Sequence, residues 1–188
     1  MDISDNSIEI INQLRESNIS KLMKSLEASD WLVYEKKNNR IIGAAGIGGI
    51  FHTSSIFIDE SLRGKGYGKK IQQGVINEAK KRHYSFVTVF VDPRNTSSIK
   101  LHDELGYQNI FRIHYSKKIV QDIKIIVFRK KGYLVRTLLG FFNTKIGNLF
   151  LVCMLKIFRG YFKTIFAYDE NEIPSLDFKI SIKNFEKI

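Results

Sequence analysis

The 188-residue chain has one cysteine, Cys153. A disulfide framework within the chain is therefore excluded, and the composition suits a reducing compartment. Proline is almost as scarce, with only Pro93 and Pro174, so punctuation falls to glycine and asparagine. The opening residues MDISDNS are acidic and lack a basic region followed by an apolar stretch, so no secretory leader is expected and a cytoplasmic location is. The histidines at 52, 83, 102 and 114 show no ligand spacing and Cys153 is isolated; no metal site is expected. Cys153 stands among Leu, Val and Met and is expected to be buried rather than nucleophilic. Acid is missing altogether between Arg129 and Lys163, where there are eight basic residues.

What is present describes a folded chain. The hydrophobic fraction is 44% and the charged fraction 26%, a balance that excludes wholesale disorder. The length supports one core with an appendage, and two large domains do not fit. Net charge is +11, which favours a polyanionic partner: nucleic acid, an anionic membrane face or a phosphate-rich cofactor.

Apolar residues at Ile8, Ile11, Leu14, Ile19, Leu22 and Leu26 loosely fit helical spacing. Residues 31–34 and 41–45 flank the polar cluster Lys37-Asn38-Asn39-Arg40 and read as a hairpin. A third strand covers His52 to Ile58. Ile71, Val75, Ile76 and Ala79 mark a helix, and Phe86 to Val91 is a buried strand. Asn95 suits a helix N-cap, and Gly106 stops that helix. Two further strands are predicted, Asn109 to Tyr115 and Ile123 to Phe128. The sum is an α/β (α+β) layer with helices between strands.

Between the third strand and the next helix lies Arg63-Gly64-Lys65-Gly66-Tyr67-Gly68. Alternating glycines free the backbone to turn its N–H groups inward. The helix N-terminus beyond adds unpaired N–H groups and a positive dipole end, and Arg63, Lys65, Lys69 and Lys70 add charge. Such a loop suits a pyrophosphate; the bland alternative is a solvated glycine-rich loop. A dinucleotide fingerprint fits poorly, because Lys69 occupies the third glycine position and residues 59–63 separate the strand from the first glycine.

Residues 56–68 resemble the strand, bend and R/Q-x-x-G-x-G/A loop of the GNAT superfamily of acyl-CoA-dependent N-acyltransferases. Residues 95–107, NTSSIKLHDELGY, resemble that family's N-x-x-(A/S)-x-x-L-Y-x-x-x-G-(F/Y) helix. The two motifs stand in the family's order. The resemblance implies a mixed, mostly antiparallel central sheet flanked by helices, with acetyl-CoA or another acyl-CoA as co-substrate and a small-molecule primary amine as acceptor. It implies that Arg63, Gly64, Lys65, Gly66, Tyr67, Gly68 and Lys69 hold the pyrophosphate. The main chain of Phe57 and Ile58, with Asn95 and Ser98, would meet the pantetheine arm.

The family chemistry is direct attack of a neutral amine on the thioester, which needs a base, an oxyanion donor and an acid for the thiolate. At the family's acid position, usually Tyr, stands His102; its bland alternative is a surface histidine. Tyr107 fits the family's buried aromatic position. His52 and Glu60, near the ends of the third strand, are the candidate bases, each with a plain structural alternative, and His114 is placed to line the acceptor side. A non-catalytic acyl-CoA-binding or assembly module is the rival reading, favoured by the missing tyrosine.

The chain divides into residues 1–131, the acyltransferase domain, and 132–188, a basic, apolar extension. Lys145 to Phe166 reads as one helix capped by Asn143 or Thr144, with cations along one side and apolar residues around the rest. Its longest charge-free run is far short of the ~20 residues a spanning helix needs. Two readings stay open. One is an in-plane helix on the inner face of a membrane; the other is a helix buried against the sheet or against a second copy in a homodimer. Nucleic acid is disfavoured, because the cations sit in an apolar setting and no nucleic-acid motif appears. Ser175 to Phe185 alternates as a half-buried strand, suited to a sheet edge.

Overall fold

In the sequence NNR after a β-rich run, both asparagines lie at positive φ, Asn38 at 50° and Asn39 at 61°. A two-residue hairpin turn of the primed type requires that geometry, and Asn tolerates it. The turn joins β2 (Trp31–Lys37) to β3 (Arg40–Gly48) in antiparallel register. The computed structural model describes residues 1–4, 10, 12, 14, 25–114, 120–161, 164–165 and 179–181.

The remaining strands are β1 (Asp2–Ser4), β4 (Thr53–Ile58), β5 (Phe86–Val91), β6 (Gln108–His114), β7 (Val120–Val127) and β8 (Lys179–Ser181). They form one eight-stranded sheet in the order β1-β2-β3-β4-β5-β7-β6-β8. Every neighbouring pair is antiparallel except β4 and β5. The expected mixed, mostly antiparallel sheet is therefore present. A parallel pair needs a crossover, and α1 (Tyr67–Lys81) supplies it. After β5 comes α2 (Thr96–Glu104), and after β7 come α3 (Lys130–Phe141) and α4 (Lys145–Ile157).

Each face of the sheet is covered. Ile71, Val75, Ile76 and Ala79 of α1 pack with Trp31, Val33, Val87 and Val89, joined by Ile99 and Leu105 of the second motif. On the opposite face, Ile10, Leu14 and Leu26 cover Leu32, Ala44 and Phe57. Leu139 and Leu151 cover Phe86, Phe111, Ile113, Ile123 and Ile125. The segment after Lys131 thus contributes to the packing over β6 and β7.

Two expectations are corrected here, and one left open between two residues is resolved. The helix from Lys145 ends at Ile157 and gives way to a short 3-10 turn, Arg159–Tyr161; Gly160 in the continuation is a poor helix residue. Thr144, not Asn143, is its cap, its hydroxyl accepting the Gly147 N–H at 3.0 Å. Cys153 is exposed, because the helix turns Gly147 and Leu151 inward instead. Within the predicted terminal strand, Lys179–Ser181 pairs with Arg112–His114 at the edge of the sheet; the rest of that prediction lies outside the described residues, as does most of the N-terminal helical reading.

Candidate functional site

The parallel pair is short by construction. β4 and β5 are in register only at Thr53↔Thr88 and Ser54↔Val89. That end is fastened by the Thr53–Thr88 hydroxyl pair at 3.1 Å and by Thr88 donating to the Phe51 carbonyl at 2.9 Å. Beyond it, β4 continues to Ile58 on β3 alone, and β5 continues to Val91 on β7 alone. The β4–β5 ladder does not extend past Ser54 and Val89, so the two strands diverge and the sheet opens into a gap at this end. Where neighbouring strands diverge, an extended ligand can enter as a strand-like guest.

The glycine loop stands at the open end. Asp59 fixes the bend: its carboxylate accepts the Ser61 N–H at 3.0 Å and the Ser61 hydroxyl at 2.6 Å, and it pairs with Arg40 at 3.2 Å. These bonds, with Ser61's first, hold the Asp59 carboxyl below its ordinary range. Gly64 and Gly66 take φ of 77° and 82°, and a Cβ built on either would meet nothing within 4 Å. The backbone is thus left-handed, which favours glycine, and the space above it is open. Gly66 caps α1 with no side chain, and the first bond of the helix runs from Lys70 N–H to the Gly66 carbonyl at 3.1 Å. The N–H groups of 67–69 therefore end the helix with no intrahelical partner, at its positive end. Polarity, open space and orphan donors together fit a diphosphate.

The second motif meets the first here. A Cβ on Gly68 would lie 3.7 Å from Leu101 and 3.9 Å from Ile58, and Lys69 pairs with Glu104 at 2.7 Å. Asn95 Oδ1 accepts the Ser98 N–H at 3.0 Å, which leaves its amide hydrogens as donors at the start of α2. At the end of β5, Asp92 accepts two bonds from the Arg94 guanidinium, at 2.9 Å and 2.7 Å, and one from its backbone N–H at 2.9 Å. The sequence reading did not single out that clamp. Phe57, Ile58, residues 63–69, Asn95 and Ser98 thus fall around one end of the sheet.

The proposed catalytic residues are placed differently. Glu60 is exposed and pairs with Arg63 at 3.1 Å, beside the loop and on a solvated bend. His52 lies at the fastened end of the parallel pair, in the turn just before β4 and six residues before Ile58; its ring packs edge-on to Tyr84 at 4.4 Å and tilted on Phe86 at 5.1 Å. The structure therefore does not bring His52 to the gap. His102 is almost fully buried, at 2% exposure, so the surface alternative does not describe it. Its Nδ1 lies 2.8 Å from the Ser98 carbonyl; a carbonyl only accepts, so Nδ1 carries the hydrogen and Nε2 is left as a bare acceptor. Nε2 is buried with no partner. Of His114 only the strand position is described.

A buried chain of polar groups stands behind the gap. Gln72 donates to the Tyr107 hydroxyl at 2.9 Å and contacts Ser54 at 3.3 Å. Burial pushes the Tyr107 hydroxyl well above its usual range, so Tyr107 is a packed, neutral phenol, edge-on to His102 at 5.2 Å. Gln72 on the inward face of α1 was the available signal: a polar side chain among Ile71, Val75 and Ile76 needs a buried partner.

Burial holds the pKa of both His102 and His52 below the ordinary histidine value; the Ser98 carbonyl and Asp103 oppose this for His102 while Lys124 adds to it, and Asp30 and the Gly49 backbone oppose it for His52. The unfolded chain then binds more protons than the folded one below about pH 6.5. Stability is full above that pH and falls as pH drops towards the folded-state values. Thermal unfolding followed from pH 7 to pH 5 is expected to show a declining midpoint. His102→Phe should flatten the decline; an unchanged slope would exclude His102 as a source.

The family model for the acetyltransferase (GNAT) family matches residues 8–107, more than half of the chain and inclusive of both motifs. No curated protein sequence matches significantly. Solved structures share the fold at low identity. An N-acetyltransferase from Staphylococcus aureus Mu50 is 20% identical, with 66% of this chain and 94% of that one covered at a TM-score of 0.51. The ribosomal-protein-S18-alanine N-acetyltransferase of Escherichia coli is 16% identical, with 66% and 90% covered at 0.53. An acetyltransferase-fold protein from Salmonella typhimurium, solved with acetyl-CoA, is 16% identical, with 68% and 93% covered at 0.52. With the splayed parallel pair, the glycine loop and the asparagine-capped helix all in place, the chain belongs to the GNAT family of acetyltransferases, enzymes that take an acyl group from acetyl-CoA to an amine.

Proposed function

We propose that this chain transfers the acetyl group of acetyl-CoA to a primary amine by direct attack, with the diphosphate on residues 63–69 and the pantetheine arm in the gap between β4 and β5. The observation that carries the reading is the open space above Gly64 and Gly66 at the N-terminus of α1, next to the diverging ends of β4 and β5. Phe57 and Ile58 would offer main-chain groups to the arm, and Asn95 its amide hydrogens. Oxyanion stabilisation falls to main-chain N–H groups at that edge, which need no reorganisation.

Proton handling departs from the family pattern. A neutral His102 with its hydrogen committed to Ser98 has an accepting Nε2 and no proton there to give. We assign it the role of a positioning residue that supports Tyr107 and the start of α2, while the thiolate takes its proton from solvent at the open gap. Neither Glu60, paired outward with Arg63, nor His52, at the closed end, is favoured as base by its placement. A water at the strand edge fits the requirement better.

The acceptor is proposed to be a small amine. An amino sugar carried on an envelope precursor is the preferred class, supported by the acid-free basic stretch from Arg129 to Lys163. Peptide N-termini belong in the same trial, because fold neighbours include ribosomal-protein-alanine N-acetyltransferases. Release of CoA thiol from acetyl-CoA, measured with amino sugars, polyamines and peptides, tests the reading. Turnover with at least one amine is expected, with His102→Tyr retaining it. Acetyl-CoA binding without turnover on any amine would favour the second reading, a non-catalytic acyl-CoA-binding module, for which the lack of a proton to donate at His102 Nε2 is the supporting observation.

A further inference from the structure

Along α3, Gly132, Val135, Leu139 and Phe142 recur at three- and four-residue spacing and turn toward the sheet. An ordinary surface helix would then place polar residues outward. Here the outward side holds Leu134 at 63% exposure, Leu138 at 59%, Tyr133 and Phe141, with Lys130 and Thr137 between them. At about 100° per residue, Lys131 and Arg136 fall on opposite margins of that outward side, both exposed. The next helix repeats the arrangement. In α4, Gly147 and Leu151 turn inward, while Ile146 at 77%, Ile157 at 74%, Leu149 and Phe150 face out. The joint between the helices is close: a Cβ at Gly147 has no room against the Phe141 carbonyl, and Phe142 stacks on Phe150 at 6.5 Å. Phe142 also meets Phe111 of β6 edge-on at 6.1 Å, which fixes the pair to the sheet.

We propose that the outward sides of α3 and α4 dock in the plane of an anionic lipid bilayer, with the apolar side chains entering the headgroup region and the marginal cations contacting lipid phosphates. Three observations select this occupant. No helix among the described residues is long and apolar enough to cross a membrane, so the helices lie on it. The segment from Arg129 to Lys163 carries eight cations and no acid. A two-fold dimer would set this patch against itself, cations facing cations with no carboxylate from the same segment to pair them. An anionic bilayer meets both the charge and the apolar side chains. The segment also lies outside residues 8–107, the stretch matched by the family model, so the acyl-transfer fold does not account for its composition. The inference stands independently of the acceptor.

Cys153 supplies the probe. It is the only cysteine, it is exposed, and it lies seven residues after Ile146 and four before Ile157, on the same outward side. An environment-sensitive fluorophore on Cys153 of the full chain is titrated with vesicles of phosphatidylcholine alone and with an equimolar mixture of phosphatidylcholine and phosphatidylglycerol. A blue shift with the mixed vesicles is expected, with little response to the neutral ones. Ile146→Glu with Ile157→Glu should lower the partition coefficient at least about tenfold, and Arg136→Glu should lower it about fivefold or more. Both variants change exposed residues, and retained acetyl-CoA binding shows that they fold. A shift that follows protein concentration without vesicles, with dimers by light scattering, would overturn the proposal in favour of a second copy. An equal response to neutral vesicles, or none to either, overturns it too.

Discussion

Gly66→Val is expected to weaken acetyl-CoA binding about a hundredfold, or about 2.7 kcal/mol, while leaving the fold in place. The residue sits at φ 82° with nothing within 4 Å of the position its Cβ would take. A β-branched side chain there costs roughly 1–2 kcal/mol in backbone strain and fills the space assigned to the diphosphate. The strain can relax by turning the peptide, which would re-aim the N–H groups at the head of α1. Gly64→Val, at φ 77°, should act in the same direction. Gly140→Ala is the control: it also has open space, but it sits inside α3 at no positive φ, so binding should be unaffected. Calorimetric titration with acetyl-CoA reads all three. Undiminished affinity in Gly66→Val would remove the loop from the site.

The second large effect concerns the segment after Arg129. Leu139→Ala should cost about 3 kcal/mol of stability, because Leu139 is 4% exposed in the cluster with Phe111, Ile123 and Ile125. Its neighbour Leu138 is 59% exposed, and Leu138→Ala should stay within about 0.5 kcal/mol. A chain ended at Arg129 would uncover the β6–β7 face entirely and is expected to be insoluble or unfolded. Urea denaturation of the two point variants, beside the solubility of the shortened chain, measures this. Equal costs at 138 and 139 would mean that the helix does not pack as described.

These two predictions mark the parts of the chain that sequence patterns could and could not convey. The glycine loop was legible because positive φ and close anion approach leave glycine as the residue of choice, so the requirement appears in the letters themselves. Asn95 was legible for the same reason: a cap needs a side-chain acceptor one turn before the helix interior. The order of the two motifs implied the mixed, mostly antiparallel sheet through the family resemblance, while the position of its parallel pair came only with the structure. His102 was a different case. Its position was readable, but its role depends on which nitrogen meets the Ser98 carbonyl, and that is a matter of rotamer and burial. His52 looked close to the site along the strand, yet strand direction puts it at the fastened end of the gap. Gln72 was passed over because a lone polar residue in an apolar helical stripe has no partner until Tyr107 and Ser54 are brought beside it.

The C-terminal segment was the least legible. Its composition announced an apolar, basic helix, but the helical period continued through Gly160, where the helix in fact has already ended. Period alone also does not say which side is inward. Cys153 read as a buried residue, and the structure turns it out, with Ile146 and Ile157, because Gly147 must approach the Phe141 carbonyl. An apolar outward side in addition to the apolar inward one is what separates this segment from an ordinary capping helix.

Hydrogen–deuterium exchange of the full chain, with and without acetyl-CoA, is the most direct measurement. Slowed exchange is expected at the amides of 64–69 and at the start of α2, with the His52 end of the parallel pair unchanged. Binding that leaves those amides unprotected, or that protects the closed end instead, would contradict the site described here.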